Sequence, residues 1–299
     1  MRFYRFKTFT TSYYFPKINS STQFMYGLYS SYGGFLAKIY WYLFRKSKIV
    51  RSLTIVDEKD LDFPFQKIKE VDGTNSLMAF NLGSPGIEQK ISILGYNQEL
   101  HQPFFAKFSQ KETAIQLTKN EISVYRILSD TGLVPQLFKE SINQTYAYLK
   151  TEFIQGKRPE NLDITSEILD LCILLKDYHL SDKCVNEEGL KMSLSHGDFC
   201  PWNMLINEGK FQLIDWELAA DRPLGADLFT YIVQVSLLFS FETSLLEVIK
   251  ANEEKIFSFF SDCGIDDYEP YLRAFAHERY EYELSKGNKE RANKIKDLF

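Results

Sequence analysis

The sequence is poor in several things, and each shortage excludes something. Its 299 residues hold four cysteines, Cys172, Cys184, Cys200 and Cys263. None forms a C-x-x-C pair, which excludes a zinc ribbon and a thioredoxin-like site. Four in a chain this long make no disulfide framework, so reduced, buried thiols and a cytoplasmic location are expected. Fifteen glycines and nine prolines leave no room for a low-complexity linker. No apolar run reaches the roughly 20 residues of a membrane span. The best stretch, Tyr26 to Phe44, contains Lys38 and three glycines. Arg5, Lys7 and Lys17 break up the first twenty residues, so no signal peptide is read there.

Acidic residues are missing altogether before Asp57. Residues 1–56 carry nine Lys and Arg and 16 aromatic residues, whereas residues 57–299 are net −14. Phe35 to Leu53 reads as an amphipathic helix with a basic flank. Its apolar face is expected to pack on the body of the protein. A peripheral membrane contact through residues 1–56 is the alternative, and no nucleic-acid partner is expected. The remaining composition, 44% hydrophobic and 25% charged, is ordinary globular.

From Ser76 the texture changes to strands and turns. Leu77–Phe80, Ile87–Leu94 and Phe104–Ser109 predict an antiparallel meander with a turn at Gly83-Ser84-Pro85-Gly86. Ile87, Gln89, Ile91 and Ile93 share one face of the second strand. Thr118 is a plausible cap for a helix over 120–130 that Gly132 ends. Strands follow at 136–140 and 146–153, and Gly156-Lys-Arg-Pro159 marks a boundary. Beyond it the chain is mainly helical. Helices are predicted over 166–179 and 224–241, the latter buried, and the tail from Tyr268 to Leu298 reads as solvated. Strands first and helices second make an α+β pattern. We divide the chain into a basic aromatic extension (1–60), a first lobe (61–156) and a second lobe (157–299).

The chemistry sits in Leu194-Ser-His196-Gly-Asp198-Phe-Cys-Pro-Trp-Asn203-Met-Leu-Ile206 and in Phe211-Gln-Leu-Ile-Asp215-Trp-Glu217. Gly197 and Pro201 make the first part a loop. Two short apolar runs around Asn207-Glu-Gly209 make a hairpin, and Asp215 ends its second strand. Asp198, Asn203 and Asp215 can then converge. Two carboxylates and an amide oxygen suit Mg²⁺ and not zinc.

This pattern resembles the catalytic and metal-binding loops of the aminoglycoside phosphotransferase and choline kinase family, which has a protein-kinase-like fold. The resemblance implies a two-lobed α+β protein with a small antiparallel-sheet lobe and a larger, mainly helical lobe. It implies that ATP and Mg²⁺ are used to phosphorylate a hydroxyl of a small molecule, such as an amino sugar, amino alcohol or sugar. Asp198 is then the catalytic base or hydroxyl-positioning residue, and Asn203 and Asp215 hold Mg²⁺. His196 organises the loop. Gly225-Ala-Asp227-Leu228 resembles the family's downstream G-x-D-L, with Asp227 starting a buried helix and bonding the loop backbone. Glu217 is either a second metal-site carboxylate or a loop salt bridge.

A kinase small lobe also needs a strand lysine and a helix glutamate. Lys107 and Glu121, 14 residues apart, fill those places. Gly83-Ser84-Pro85-Gly86 stands where a phosphate loop belongs, although the G-x-G-x-x-G of protein kinases is absent. Thr151 and Phe153 fall at the hinge, where their backbone groups would pair with adenine. The −11 of residues 157–299 leans towards a cationic acceptor. Two rivals remain. One is a protein kinase, which the lack of H-R-D and D-F-G disfavours. The other is a catalytically inactive kinase-fold binding module.

Overall fold

A computed structural model describes residues 1–17, 20–29 and 35–299. Residues 30–34, part of the Tyr26–Phe44 stretch, lie outside the described residues. The chain divides into two units, one of residues 1–129 with 135–154 and one of residues 130–134 with 155–299. The boundary expected at 156–159 is thus found a few residues earlier.

The first unit contains β1 (Arg2–Lys7), β2 (Ser12–Pro16), α1 (Phe35–Lys46), α2 (Lys48–Ser52), β3 (Ile55–Asp57) and α3 (Phe65–Asp72). It continues with β4 (Ser76–Asn81), β5 (Lys90–Asn97), β6 (Gln102–Ser109), α4 (Glu112–Ile127), β7 (Leu137–Ile142) and β8 (Ala147–Glu152). All eight strands form one sheet in the order β3-β1-β2-β4-β5-β6-β8-β7. Every pairing is antiparallel.

Within residues 1–60, read from sequence as an extension, β1, β2 and β3 form one edge of this sheet. Tyr13 pairs with Asn81 and Tyr14 with Phe80, which splices β2 onto the meander. The physical reason is their alternation. Phe3 and Tyr14 turn to one face and pack with Phe65 and Ile68 of α3. Phe6, Tyr13 and Phe15 turn to the other face and pack with Trp41 and Phe44 of α1. Strands with large side chains on both faces must join a sheet that is covered on both. Burying each such side chain stabilises by about 1.5–3 kcal/mol. Among the described residues no helix is long and apolar enough to cross a membrane.

The meander itself is present, with shifted ends. β5 begins at Lys90 and not at Ile87, whose side chain is exposed. Gln89 Nε2 donates to Leu82 O at 3.0 Å and Lys111 Nζ to Gly86 O at 2.6 Å, so residues 82–89 form a longer loop than expected. α4 starts at Glu112, eight residues before the expected start. Thr118 does not cap it. Its buried hydroxyl lies 2.7 Å from that of Ser109 and joins the helix to β6.

The second unit is mainly helical. It contains α5 (Ser166–Leu175), β9 (Met192–Ser195), β10 (Met204–Asn207), β11 (Lys210–Leu213) and β12 (Ala220–Pro223). Then come α6 (Ala226–Phe239), α7 (Leu245–Ala251), α8 (Glu253–Asp262), α9 (Glu269–Ser285) and α10 (Lys289–Lys296). α6 is buried almost all round, as its composition predicts. The tail is less solvated than its charges suggest, because α9 buries Tyr271, Leu272, Phe275 and Ala276.

Candidate active site

In the first unit, the two-residue period of β6 decides what faces what. Phe104, Ala106 and Phe108 enter the core with α3, so Lys107 turns to the opposite face. There its ammonium donates to both carboxylate oxygens of Glu121, at 2.8 and 2.7 Å. Lys107 and Glu121 are both buried. Glu121 sits in the middle of α4 and not near its start, because the helix begins at Glu112.

The other first-unit residues singled out by sequence are placed as follows. Ser84 is exposed in the loop after β4. Gly83 has φ +67, and a Cβ there would meet Lys90 O at 2.5 Å, so this turn requires glycine. Thr151 is buried in β8, and its hydroxyl donates to Glu152 O at 3.1 Å. Phe153 follows the strand and its ring packs on Phe24 at 5.3 Å between centroids. That contact brings the N-terminal segment to the end of β8, and nothing in the sequence announces it.

In the second unit, β9 delivers the chain into the loop His196–Asn203. His196 is fully buried. Its Nε2–H donates to Ile214 O at 3.0 Å, and its Nδ1 accepts the Asp198 N–H at 3.3 Å. These two bonds fix the ring's orientation, with Nδ1 as the acceptor, and tie the loop to the hairpin. The ring also packs on the buried Trp216 at 4.5 Å. Gly197 has φ +82, and a Cβ there would meet Leu218 O at 2.2 Å, so only glycine fits the turn.

Asp198 is held by its neighbours. Asn203 Nδ2 donates to its backbone oxygen at 2.9 Å and to its Oδ2 at 2.8 Å. Trp202 Nε1 donates to the same Oδ2 at 3.4 Å, and Cys200 Sγ to Oδ1 at 3.5 Å. Burial first, and then the charge of Asp198, push the Cys200 thiol up, so it stays a neutral donor.

The hairpin of β10 and β11 turns at Glu208 (φ 50) and Gly209 (φ 76), the two positive φ values of a tight two-residue hairpin turn. At its open end Ile214 N donates to Asn203 O at 3.0 Å, so Asn203 and Asp215 stand beside one another. Asp215 has φ 70, a left-handed conformation uncommon for a residue with a Cβ. Carboxylate oxygens of Asp215 and Glu217 lie within 4.8 Å of each other.

Asp227, in the first turn of α6, reaches back to the loop. Its Oδ1 accepts from Ser195 Oγ at 2.7 Å and from Gly197 N at 3.3 Å, and its Oδ2 from His196 N at 2.8 Å. Sequence reasoning foresaw the backbone bonds and missed Ser195. It also missed Asp221. That carboxylate accepts the N–H groups of Leu180 and Ser181 at 2.7 and 2.8 Å and anchors the segment after α5.

Residues 180–248 match the model of the phosphotransferase enzyme family. No curated protein matches the chain by sequence. Among solved structures, an ethanolamine kinase of Plasmodium vivax is similar, at 12% identity and TM-score 0.50, over 90% of this chain and 95% of that one. An amicoumacin kinase in complex with AMP-PNP, Ca²⁺ and Ami is similar at 11% identity and TM-score 0.45, over 70% of this chain and 85% of that one. The likeness to the ethanolamine kinase is one of fold, the two-lobed protein-kinase-like architecture. The loop, the hairpin and the start of α6 thus lie in the segment that matches the phosphotransferase enzyme family, in a chain of protein-kinase-like fold.

Proposed function

We propose that the protein is an ATP- and Mg²⁺-dependent phosphotransferase acting on a hydroxyl of a small molecule. The observation that carries this reading is the fixed set Asp198, Asn203 and Asp215 on one loop and hairpin, within the family segment. Each unit carries its own part. In the first, Lys107 is the group for nucleotide phosphate oxygens, and Glu121 orients it. Ser84 belongs to the loop nearest the phosphates, and backbone groups of Thr151 and Phe153 are the adenine contacts.

In the second unit, the donor set fits a hard divalent cation. Both bonds of the Asn203 amide use Nδ2, which leaves its Oδ1 as an oxygen ligand beside the Asp215 carboxylate. The αL backbone of Asp215, costing of order 1 kcal/mol or more, is the kind of strain kept at functional sites. Glu217 adds a second carboxylate nearby. When bound, Mg²⁺ would supply neutralisation of charge on the transferring phosphates. Asp198 orients the acceptor hydroxyl and takes its proton. Its Oδ2 is occupied by Asn203 and Trp202, and these donors hold the carboxylate in place. Such transfer rests on positioning and electrostatics. The acidic balance of residues 157–299 favours a cationic acceptor such as an amino sugar or amino alcohol.

The test is a screen of hydroxyl compounds with Mg²⁺ and ATP, read as ADP release together with the mass of the product. An acceptor-dependent release with a product heavier by one phosphoryl group is expected. Nucleotide turnover that no hydroxyl acceptor accelerates, or none at all, overturns the reading.

A further inference from the structure

α1 is seated by one side and bare on the other. Trp41 and Phe44 are buried in the core of the first unit. On the opposite side Ile39, Tyr42 and Leu43, at i, i+3 and i+4, are 39%, 62% and 46% exposed. The apolar surface continues past the helix, since Ile49 is 75% and Leu53 82% exposed. A helix already anchored to the core does not need this second apolar stripe for folding.

The charges within residues 35–53 are all positive. Arg51 is used internally, donating to the carbonyls of Phe44 and Arg45. Lys38, Lys46 and Lys48 are exposed. Carboxylates that follow it in sequence pair elsewhere: Asp57 with Arg2, Glu58 with the amino terminus and Asp62 with Arg5. No ion pair of Lys38, Lys46 or Lys48 occurs among the described residues.

We propose that the outer face of α1, together with α2 and Leu53, docks on an anionic lipid surface, with the segment lying in the plane of the interface. Bulky apolar and aromatic side chains bordered by lysines, with no acidic residue in the first 56, match the two forces that hold such segments: apolar insertion and attraction to anionic headgroups. A second copy of the chain would carry the same positive field on this face and be repelled by it. The inference stands apart from the phosphotransferase reading, because none of these residues belongs to the candidate site.

The experiment is co-sedimentation of the full chain with vesicles of phosphatidylcholine alone or with about one-third phosphatidylglycerol. Binding to the anionic vesicles should exceed that to the neutral ones by about tenfold or more in about 0.1 M salt, and should fall as salt rises. The double variant Tyr42→Ser/Leu43→Ser should lose it. Lys46→Glu/Lys48→Glu, which alters exposed charge only, should lose it with an unchanged melting curve, and carries the test if the first variant folds poorly. No binding, binding indifferent to lipid charge, or retention by the lysine variant overturns the proposal. So does a concentration-dependent dimer that Tyr42→Ser abolishes, which would assign the face to a second copy.

Discussion

The carboxylate of Asp227 holds the backbone N–H of His196 at 2.8 Å, across 31 positions of sequence. Through its other oxygen it also takes Ser195 Oγ and the N–H of Gly197, so one side chain fixes three consecutive residues ahead of Asp198. All of these groups are buried or nearly so, and a buried donor left unpaired costs about 1–3 kcal/mol. Asp227→Ala should therefore lower the melting temperature clearly. It should also lower kcat more than it raises KM for ATP, because the loop that carries Asp198 loses its anchor. Asp227→Asn, which keeps one acceptor oxygen, should fall between. An Asp227→Ala protein that melts with the wild type would show that the loop is held by something else.

Asp198→Ala should nearly abolish transfer, by at least the roughly 10²–10⁴-fold typical of general-base removal. ATP affinity should stay within about a few-fold, since the proposed role is on the acceptor. Nucleotide titration and steady-state kinetics on the true acceptor check both halves. Near-normal kcat in this variant rejects the assignment.

Asp215 offers a test that separates strain from chemistry. Its φ of 70 suits glycine better than aspartate. Asp215→Gly should melt no lower than wild type, while losing Mg²⁺-dependent nucleotide binding and turnover. Asp215→Val should lose both binding and stability, since a β-branched residue in this region is a true outlier. If Asp215→Gly binds nucleotide with an undiminished Mg²⁺ dependence, the carboxylate is not a metal ligand.

The features legible in the sequence were those written locally. The turn at Glu208-Gly209 and the apolar alternation of Ile91 and Ile93 are short-range signals, and both appear in the structure. The loop from His196 to Asn203 was readable because its Gly and Pro punctuation forbids regular structure. Long-range packing was not readable. The aromatic alternation of β1 and β2 does not say which sheet those strands join, and that choice is made by pairing with β4, about 67 positions away. The start of α4 was missed for a different reason. Its cap residue, Lys111, makes no side-chain cap bond, so the usual Ser, Thr, Asp or Asn signal is absent there, and Thr118 supplied a false one.

Lys107 and Glu121 form a buried pair, and removing one partner strands the other charge. Lys107→Ala should raise KM for ATP and lower kcat. Glu121→Gln should do the same more mildly, because the amide still accepts one bond from the lysine. Both should also destabilise the first unit, by up to about 3–5 kcal/mol for the lysine. Kinetics at saturating ATP, at a temperature well below each variant's melt, isolates the catalytic part. A Lys107→Ala enzyme with unaltered KM for ATP would remove the lysine from the nucleotide site.

A second buried pair, between α3 and β8, predicts a pH response. Asp72, at the end of α3, is fully buried and accepts from Lys150 Nζ at 2.7 Å, from Tyr148 OH at 2.8 Å and from Thr74 Oγ1. Burial works to raise its pKa, but the bonds from Lys150, Thr74 and Tyr148 outweigh it and hold the carboxyl below its ordinary value. A pKa depressed by folding contributes stability that is present above the unfolded value of about 3.9 and lost as pH falls through the lower folded value. Asp72→Asn should thus cost stability at pH 7, up to about 3–5 kcal/mol, since it leaves Lys150 buried without its counter-charge. The gap between wild type and variant should narrow as pH drops below about 4, because the protonated wild-type side chain then resembles the amide. Denaturant melts of both proteins across that range measure the gap directly. A gap that stays constant to the acid limit would mean that the Asp72 charge contributes nothing to holding α3 against the sheet.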